Sequence, residues 1–353
     1  MDKALLMAEH RVLFGDNRFR SAGKEYYEWK IYKNPYMDGE IYLEIRDGKV
    51  VGSSTATPKR IAILNEVFLT AELGDSFTLP EYRRQGINLK ALKHCAEYAI
   101  SRGINLIYGG PATQANYRLL LKVGLLPCSY IKYTFLTKSL KPILFAMKTV
   151  AKRFLRRDSS TNMSYLKYLL KPKQTQPKFV YPYENYDEND FHLAIIDKFN
   201  EQVDALWGEP RYLFFIYRDS SYLNWRFFTN PDKYIVLAAV KGEKYLGYIV
   251  VKMSKDNRTG VICDFITIDD RSDVFSALVK KSEEILKRNG VNLVQIECIV
   301  GSAYYKTLNE LGYYDHGPGS YQHLTIYSKT ELGKRVLENG GSWHFTLGDS
   351  DEV

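Results

Sequence analysis

Arg83-Arg84-Gln85-Gly86 sets two cations, an amide and a glycine directly before a run with helical spacing, Leu89, Leu92, Cys95, Ala96 and Ile100. A short turn that ends in glycine and runs into a helix leaves several backbone N–H groups without partners at the positive end of the helix dipole. With two guanidinium groups beside them, such amides suit a pyrophosphate. Upstream, Val67 to Leu79 is rich in β-branched and aromatic residues, as strands are, and carries two carboxylates, Glu72 and Asp75. Strict strand alternation puts the two on opposite faces, and a bulge would change that. Gly103 marks the end of the helix. A buried-looking strand follows, Ile104 to Tyr108, then Gly109-Gly110-Pro111 and a second helix through Leu119 to Gly124.

The chain has 353 residues, enough for two domains, with 45% apolar and 25% charged residues and a formal net charge of +8. It contains no run of 18 apolar residues and no apolar leader after Met1-Asp2-Lys3, so neither a spanning helix nor a signal peptide is expected. Cys95, Cys128, Cys263 and Cys298 are far apart and form no Cys-x-x-Cys pair, so neither zinc nor a disulfide framework is expected, and a reducing cytoplasm fits. The modest positive charge suits an anionic partner, for which a small phosphate-bearing ligand serves as well as nucleic acid.

The ordered series of strand, basic glycine loop, helix, strand and closing helix resembles the GNAT acyltransferase superfamily. That family's Arg/Gln-x-x-Gly-x-Gly/Ala loop grips the pyrophosphate of acetyl-CoA. The resemblance implies an acyl transfer to an amine or hydroxyl, with acetyl-CoA as co-substrate. It implies that Arg83, Arg84, Gln85, Gly86, Ile87 and Asn88 form the pyrophosphate loop. It also implies that Phe77, Thr78 and Leu79 bind the pantetheine arm through backbone groups and polarise the thioester. Glu72 stands eleven positions before Arg83, where lysine-acetylating members carry a basic glutamate. Asp75 to Arg83 matches a tandem subgroup's Asp-x-x-Thr-x-Pro-x-Tyr-Arg, which makes Asp75 the better-placed acid. Three positions depart from the family. Leu120 stands where many members have an acidic tyrosine, with Tyr117 one helical turn away. Pro111-Ala112-Thr113-Gln114-Ala115 replaces Pro-Asn-x-x-Ser, and Asn88 replaces the loop's last small residue.

The sequence repeats itself. Trp29 to Pro35 parallels Trp225 to Pro231, 196 positions on, and Tyr117 to Gly124 parallels Tyr305 to Gly312, 188 positions on. The expectation is an α/β (α+β) chain of two tandem lobes, each a mixed, mostly antiparallel sheet flanked by helices. The first spans 1–137, a basic helix and linker 138–179, and a degenerate second lobe 180–353. Where the first lobe has Tyr82 to Gly86, the second has Asp269-Asp270-Arg271-Ser272-Asp273, whose acids would repel a pyrophosphate. Lys138 to Arg157 carries seven basic residues and no acid around an apolar stripe. It reads as a linker helix or as a segment that rests on an anionic membrane at the inner face. Ser342 to Asp351 reads as a last strand with an acidic tip, similar to the tails of tandem proteins from surface-polysaccharide gene clusters.

Three functions stay open at this level. One is acyl transfer to a small molecule such as a sugar or nucleotide-sugar. Another is aminoacyl transfer to a cell-wall precursor, against which an intact pyrophosphate loop argues. The third is a non-catalytic CoA-binding scaffold. No nucleic acid partner is expected, and the sequence leaves the oligomeric state open.

Overall fold

The computed structural model describes residues 24–63, 66–110, 112, 114–141, 186–188, 190–207, 211–315, 317, 321–322, 324–339 and 341–350. The first half runs α1 (Lys24–Tyr27), widening into a π turn at Glu28–Tyr32, then β1 (Glu40–Arg46), β2 (Lys49–Ile63), β3 (Glu66–Thr78), α2 (Ile87–Ser101), β4 (Leu106–Gly109), α3 (Gln114–Val123), β5 (Leu125–Pro127) and β6 (Tyr133–Ser139). The second half runs β7 (Tyr186–Glu188), β8 (Phe191–Ile196), β9 (Phe214–Ile216), α4 (Ser220–Phe227), β10 (Ile235–Lys241), β11 (Lys244–Met253), β12 (Thr259–Thr267), α5 (Ser272–Arg288), β13 (Leu293–Ile299), α6 (Ala303–Glu310), β14 (Tyr314–Asp315), β15 (Thr325–Tyr327), α7 (Glu331–Glu338) and β16 (Trp343–His344).

These strands make two eight-stranded sheets, mixed and mostly antiparallel, as expected of two tandem α/β lobes. The sheets trade strands. β6, from the first half, lies between β13 and β14 of the second sheet, while from the second half β15 lies between β4 and β5 of the first and β9, followed by β16, extends it beyond β2. The division expected at residue 137 therefore follows chain order but not sheet membership. A helix from Lys138 is also corrected. Lys138 and Ser139 close β6, paired with Val294 and Leu293, because the β-sheet of the second lobe continues through them. Residues 142–157 of that expected helix, and the linker to 185, lie outside the described residues.

On one face of the first sheet, Ala56, Ala71 and Leu73 pack against Leu92, Cys95, Ala96 and Ala99 of α2. The helix buries the stripe its spacing foretold, except that Ile100 faces solvent. The other face is covered by Tyr26, Tyr27, Trp29 and Ile31, with Tyr222 and Trp225 of α4. Here the repeat becomes contact. Trp29 and Trp225 stack with ring centroids 4.6 Å apart, and Trp29 Nε1 donates to the Trp225 carbonyl at 3.0 Å. The repeat also preserves a turn. Asn34 Oδ1 accepts from Tyr36 N at 3.0 Å, and Asn230 Oδ1 from Asp232 N at 2.9 Å.

Candidate active site

β3 and β4 pair in parallel from Thr70 opposite Leu106 to Leu73 opposite Gly109, where β4 ends while β3 runs on to Thr78, which leaves the end of β3 without β4 beside it as one arm of a V. β3 bulges at the parting. Ser53 faces Phe77 but Thr55 faces Gly74, and Asp75 sits at φ +44. A bulge inserts a residue and turns the strand, so alternation fails across it. Glu72 and Asp75 consequently share a face, where alternation alone had put them on opposite ones. Lys30 Nζ donates to both Asp75 Oδ2 (2.6 Å) and Thr55 Oγ1 (3.1 Å). Lys59, on the same face of β2 as Thr55, donates to Glu72 Oε2 at 2.5 Å. Tyr27 Oη also donates to Asp75, at 3.2 Å. Both carboxylates are buried, and each has a buried lysine as partner. Neither lysine was singled out by the sequence. The signal was there in the small polar run Ser53 to Thr57, which is too hydrophilic for a buried strand unless charges sit beside it.

After Thr78 the chain crosses to α2. Leu79 N donates to Val51 O at 2.9 Å, a 3₁₀ turn covers Pro80–Tyr82, and Arg84 and Gly86 take φ +65 and +77. A Cβ on Gly86 would meet nothing within 4 Å, so the position demands glycine for its backbone angle rather than for space. α2 starts with no side-chain cap, which leaves its first amides for an anion. Arg83, Arg84, Gln85 and Gly86 are all exposed, and Arg83 Nε donates to Thr78 O at 3.2 Å. Ile87 is buried and locks the helix start onto β2. A Cβ on Gly52 would come within 2.5 Å of its Cγ2. Thr78 Oγ1 and Asn88 Oδ1 are buried acceptors without a hydrogen-bond partner. Asn88 Nδ2 reaches Asn116 Oδ1 on α3 at 3.4 Å, and Asn116 was not foreseen from sequence. An open amide cluster, exposed guanidinium groups and orphaned oxygens fit a phosphate-bearing cofactor that also donates hydrogen bonds. Leu120 is buried against Gly109, and Tyr117 lies half-buried one turn before it. His94 sits at the surface, 3.7 Å from Glu40.

The second lobe repeats the V and closes it. β12 and β13 pair from Thr259 opposite Leu293 to Ile262 opposite Ile296, and β12 bulges at Cys263. Past the bulge, Thr267 N–H donates to Tyr304 Oη at 2.9 Å, and its carbonyl accepts from Arg211 at 2.7 Å. Asp269 and Asp270 both take φ +51. Asp270 accepts from Arg211 (3.1 Å) and from Tyr212, while Arg271 pairs with Asp273. The turn Leu347–Asp349 fills the rest. A Cβ on Gly348 would lie 3.0 Å from Asp264 Cβ, and Thr346 Oγ1 donates to Asp264 Oδ1 at 2.9 Å. Arg218 bridges Asp264 (3.2 Å) and Asp349. Arg226 donates to the carbonyls of Gly348 (3.2 Å) and Ser350 (3.1 Å). Burial pushes the Asp349 carboxyl up to about 6, with Asp264 adding to the rise and Arg218 opposing it. Burial also holds His344 well below the usual histidine range, so its imidazole is neutral among Trp207, Tyr212, Phe265 and Tyr304. The expected final strand is present as β16, paired in parallel with β9, and of the expected acidic tip Asp349 is described while Asp351 lies outside the described residues. Asp349 is buried because it answers Arg218.

All four cysteines are buried thiols, and among the described residues no group of three His, Cys, Asp or Glu side chains is placed to hold a metal. No helix among those residues is long and apolar enough to cross a membrane.

A bulged strand followed by an anion loop at a helix start is the arrangement of the GNAT fold. Residues 14–120 match the acetyltransferase (GNAT) domain family. Solved structures of similar fold include a tandem GNAT protein from the clavulanic acid biosynthesis pathway, at 14% identity, TM-score 0.55, covering 92% of this chain and 94% of that one. A GCN5-related N-acetyltransferase from Anabaena variabilis matches at 15% identity and TM-score 0.53, over 92% of this chain and 68% of that one. Saccharomyces cerevisiae N-myristoyltransferase with bound myristoyl-CoA matches at 10% identity and TM-score 0.58, over 92% and 80%. A search of the curated proteins finds no significant match. The first lobe thus carries the match to a GNAT domain, and the chain as a whole shares the fold of a tandem of two GNAT-like lobes.

Proposed function

We propose that the first lobe holds acetyl-CoA and passes its acetyl group to an amine or hydroxyl of a small acceptor, with amino sugars and nucleotide-sugars the first class to try. The observation that carries this is the open V of β3 and β4. Its outer end meets uncapped α2 amides, Arg83, Arg84 and a positive-φ Gly86, with Thr78 Oγ1 and Asn88 Oδ1 buried and unpaired beside them. In the transfer the acceptor nitrogen or oxygen bonds the thioester carbon as the C–S bond breaks. The acceptor's proton goes to Glu72, directly or through a water, and the thiolate takes a proton from solvent. A thiol of pKa about 8.5 leaves without an enzymic acid, so buried Leu120 is no obstacle. Backbone N–H groups beside the bulge polarise the carbonyl. Glu72, opposite Tyr108, lies one position before the last pair, Leu73 with Gly109, at which the V opens. Asp75, gripped by Lys30 and Tyr27, pins the bulge.

A second reading has its own support. Both carboxylates are already engaged by lysines and Leu120 supplies no proton, as a CoA-binding scaffold would tolerate. CoA release from acetyl-CoA with a panel of amino sugars separates the two. Transfer that falls about 10²–10⁴-fold in Glu72→Gln supports the enzyme. Calorimetric binding of acetyl-CoA with no release for any acceptor supports the scaffold.

A further inference from the structure

We infer that the second lobe has turned its own V into a clamp for the C-terminal segment, and that this segment positions the proton-accepting side chain of the first lobe. The clamp is continuous. Asp264, Arg218 and Thr346 close around the turn Leu347–Asp349, and Arg226 holds the carbonyls on either side of Asp349. What the clamp presents to the first lobe is a backbone oxygen. The Asp349 carbonyl accepts from Lys59 Nζ at 2.6 Å and from Tyr108 Oη at 2.7 Å. Lys59 spends another donor on Glu72 at 2.5 Å, and its ammonium stands over the Tyr108 ring, 5.7 Å from the centroid. Tyr108 is the register partner of Glu72 across β3 and β4.

A lysine head on a four-carbon stem is free to rotate, so a second fixed acceptor decides where it points. Without the Asp349 carbonyl, Lys59 has lost that anchor and its pairing with Glu72 loosens. The other charged or titratable groups near this face are the Lys30–Asp75 pair with Tyr27, Tyr222 and Arg226 of α4, Arg218, and the Asp349 carboxyl, which also acts on Lys59. Of these only the Asp349 carboxyl belongs to the tail. Lys59, Tyr108 and Gly348 are therefore positioning residues, which act through Glu72 rather than on substrate.

The inference rests on Glu72 as the base, and the experiment keeps the two apart. Infrared difference spectra of the full chain, recorded across pH, follow the carboxyl band of Glu72, assigned by its loss in Glu72→Gln. This readout needs no acceptor. Removing an opposite charge from a buried carboxylate raises the pH at which it ionises by about 1–3 units, so Lys59→Met should shift the band that far while Lys59→Arg restores it. Gly348→Ala, which crowds Asp264 inside the clamp, and Tyr108→Phe should shift it in the same direction by less. Calorimetric affinity for acetyl-CoA should stay within about twofold, because the Arg83–Gly86 loop is untouched. A Glu72 band that titrates at its wild-type pH in folded Lys59→Met and Gly348→Ala overturns the inference. Transfer that survives Glu72→Gln overturns the base assignment instead, whatever the band does.

Discussion

The two lobes carry the same bulge at the same point, just past the last parallel pair. Asp75 and Asp264 stand in corresponding places beside it. Asp75 answers Lys30 and Tyr27, and Asp264 answers Arg218 and Tyr248. Beyond that point they differ. In the first lobe the loop ends in Gly86, its basic side chains face solvent, and buried oxygens wait without partners. In the second, Tyr304, Arg211 and Tyr212 consume the strand and loop groups, and the chain's own tail lies in the gap. A shared backbone design thus supports opposite fates. Whether a V binds a ligand depends on which side chains its own chain supplies to fill it.

Separating the lobes breaks the comparison most completely. Residues 1–140 alone lack β15 and the clamped tail, so they should give no cooperative thermal transition, while co-expression with the remaining residues should restore it. Next in size is the contact that joins the repeats. Trp29→Ala or Trp225→Ala should each cost about 3–5 kcal/mol in denaturant unfolding. The double mutant should show a coupling of about 0.5–1.5 kcal/mol, and simple additivity would mean that the stack is incidental. Gly86→Asp puts a carboxylate at the anion loop and a side chain at φ +77, so acetyl-CoA should bind at least about tenfold more weakly, or ~1.4 kcal/mol. The acidic second-lobe loop should give no second calorimetric site. Thr78→Val removes an orphaned acceptor and should cost affinity of about 0.5–1.5 kcal/mol without altering stability. A separate effect concerns pH. The Asp349 carboxyl titrates at about 6 when folded against 3.8 when not, so the stability it contributes is full below 3.8 and is lost as pH rises through about 6. Asp349→Asn should flatten the stability profile across that window, and a profile that keeps its wild-type slope would remove Asp349 as its source.

Much of the first lobe's site could be read from residue order because it is local. The loop, the helix stripe behind it and the glycine ends at Gly103 and Gly124 all depend on near neighbours, and both glycines take positive φ as their positions require. The internal repeat was legible too, down to Trp29 and Trp225. What escaped was non-local or rested on a single residue. The bulge turns on an aspartate at positive φ, which alternation cannot reveal. β6 and β15 both look like ordinary strands, and nothing near either says that it pairs in the other lobe's sheet. Lys138 carries helical neighbours in sequence, yet sheet pairing and Glu283, 2.8 Å from its Nζ, hold it extended. Lys30 and Lys59 were passed over because a lysine is usually exposed, and only the carboxylates opposite them keep them inside.

The exchange of β6 and β15 also sets an order in time. A ribosome makes β4 more than two hundred residues before the strand that will lie against it, so the growing first lobe carries an open sheet edge until the chain is nearly finished. Such late, long-range pairing is slow and leaves strand edges exposed to neighbouring chains. The second sheet is spared this wait, because β6 is already made when β13 and β14 emerge. The second sheet can therefore form first and serve as the surface on which the first lobe completes itself, while the second lobe's V fills last, because Leu347–Asp349 follows β15 in the chain.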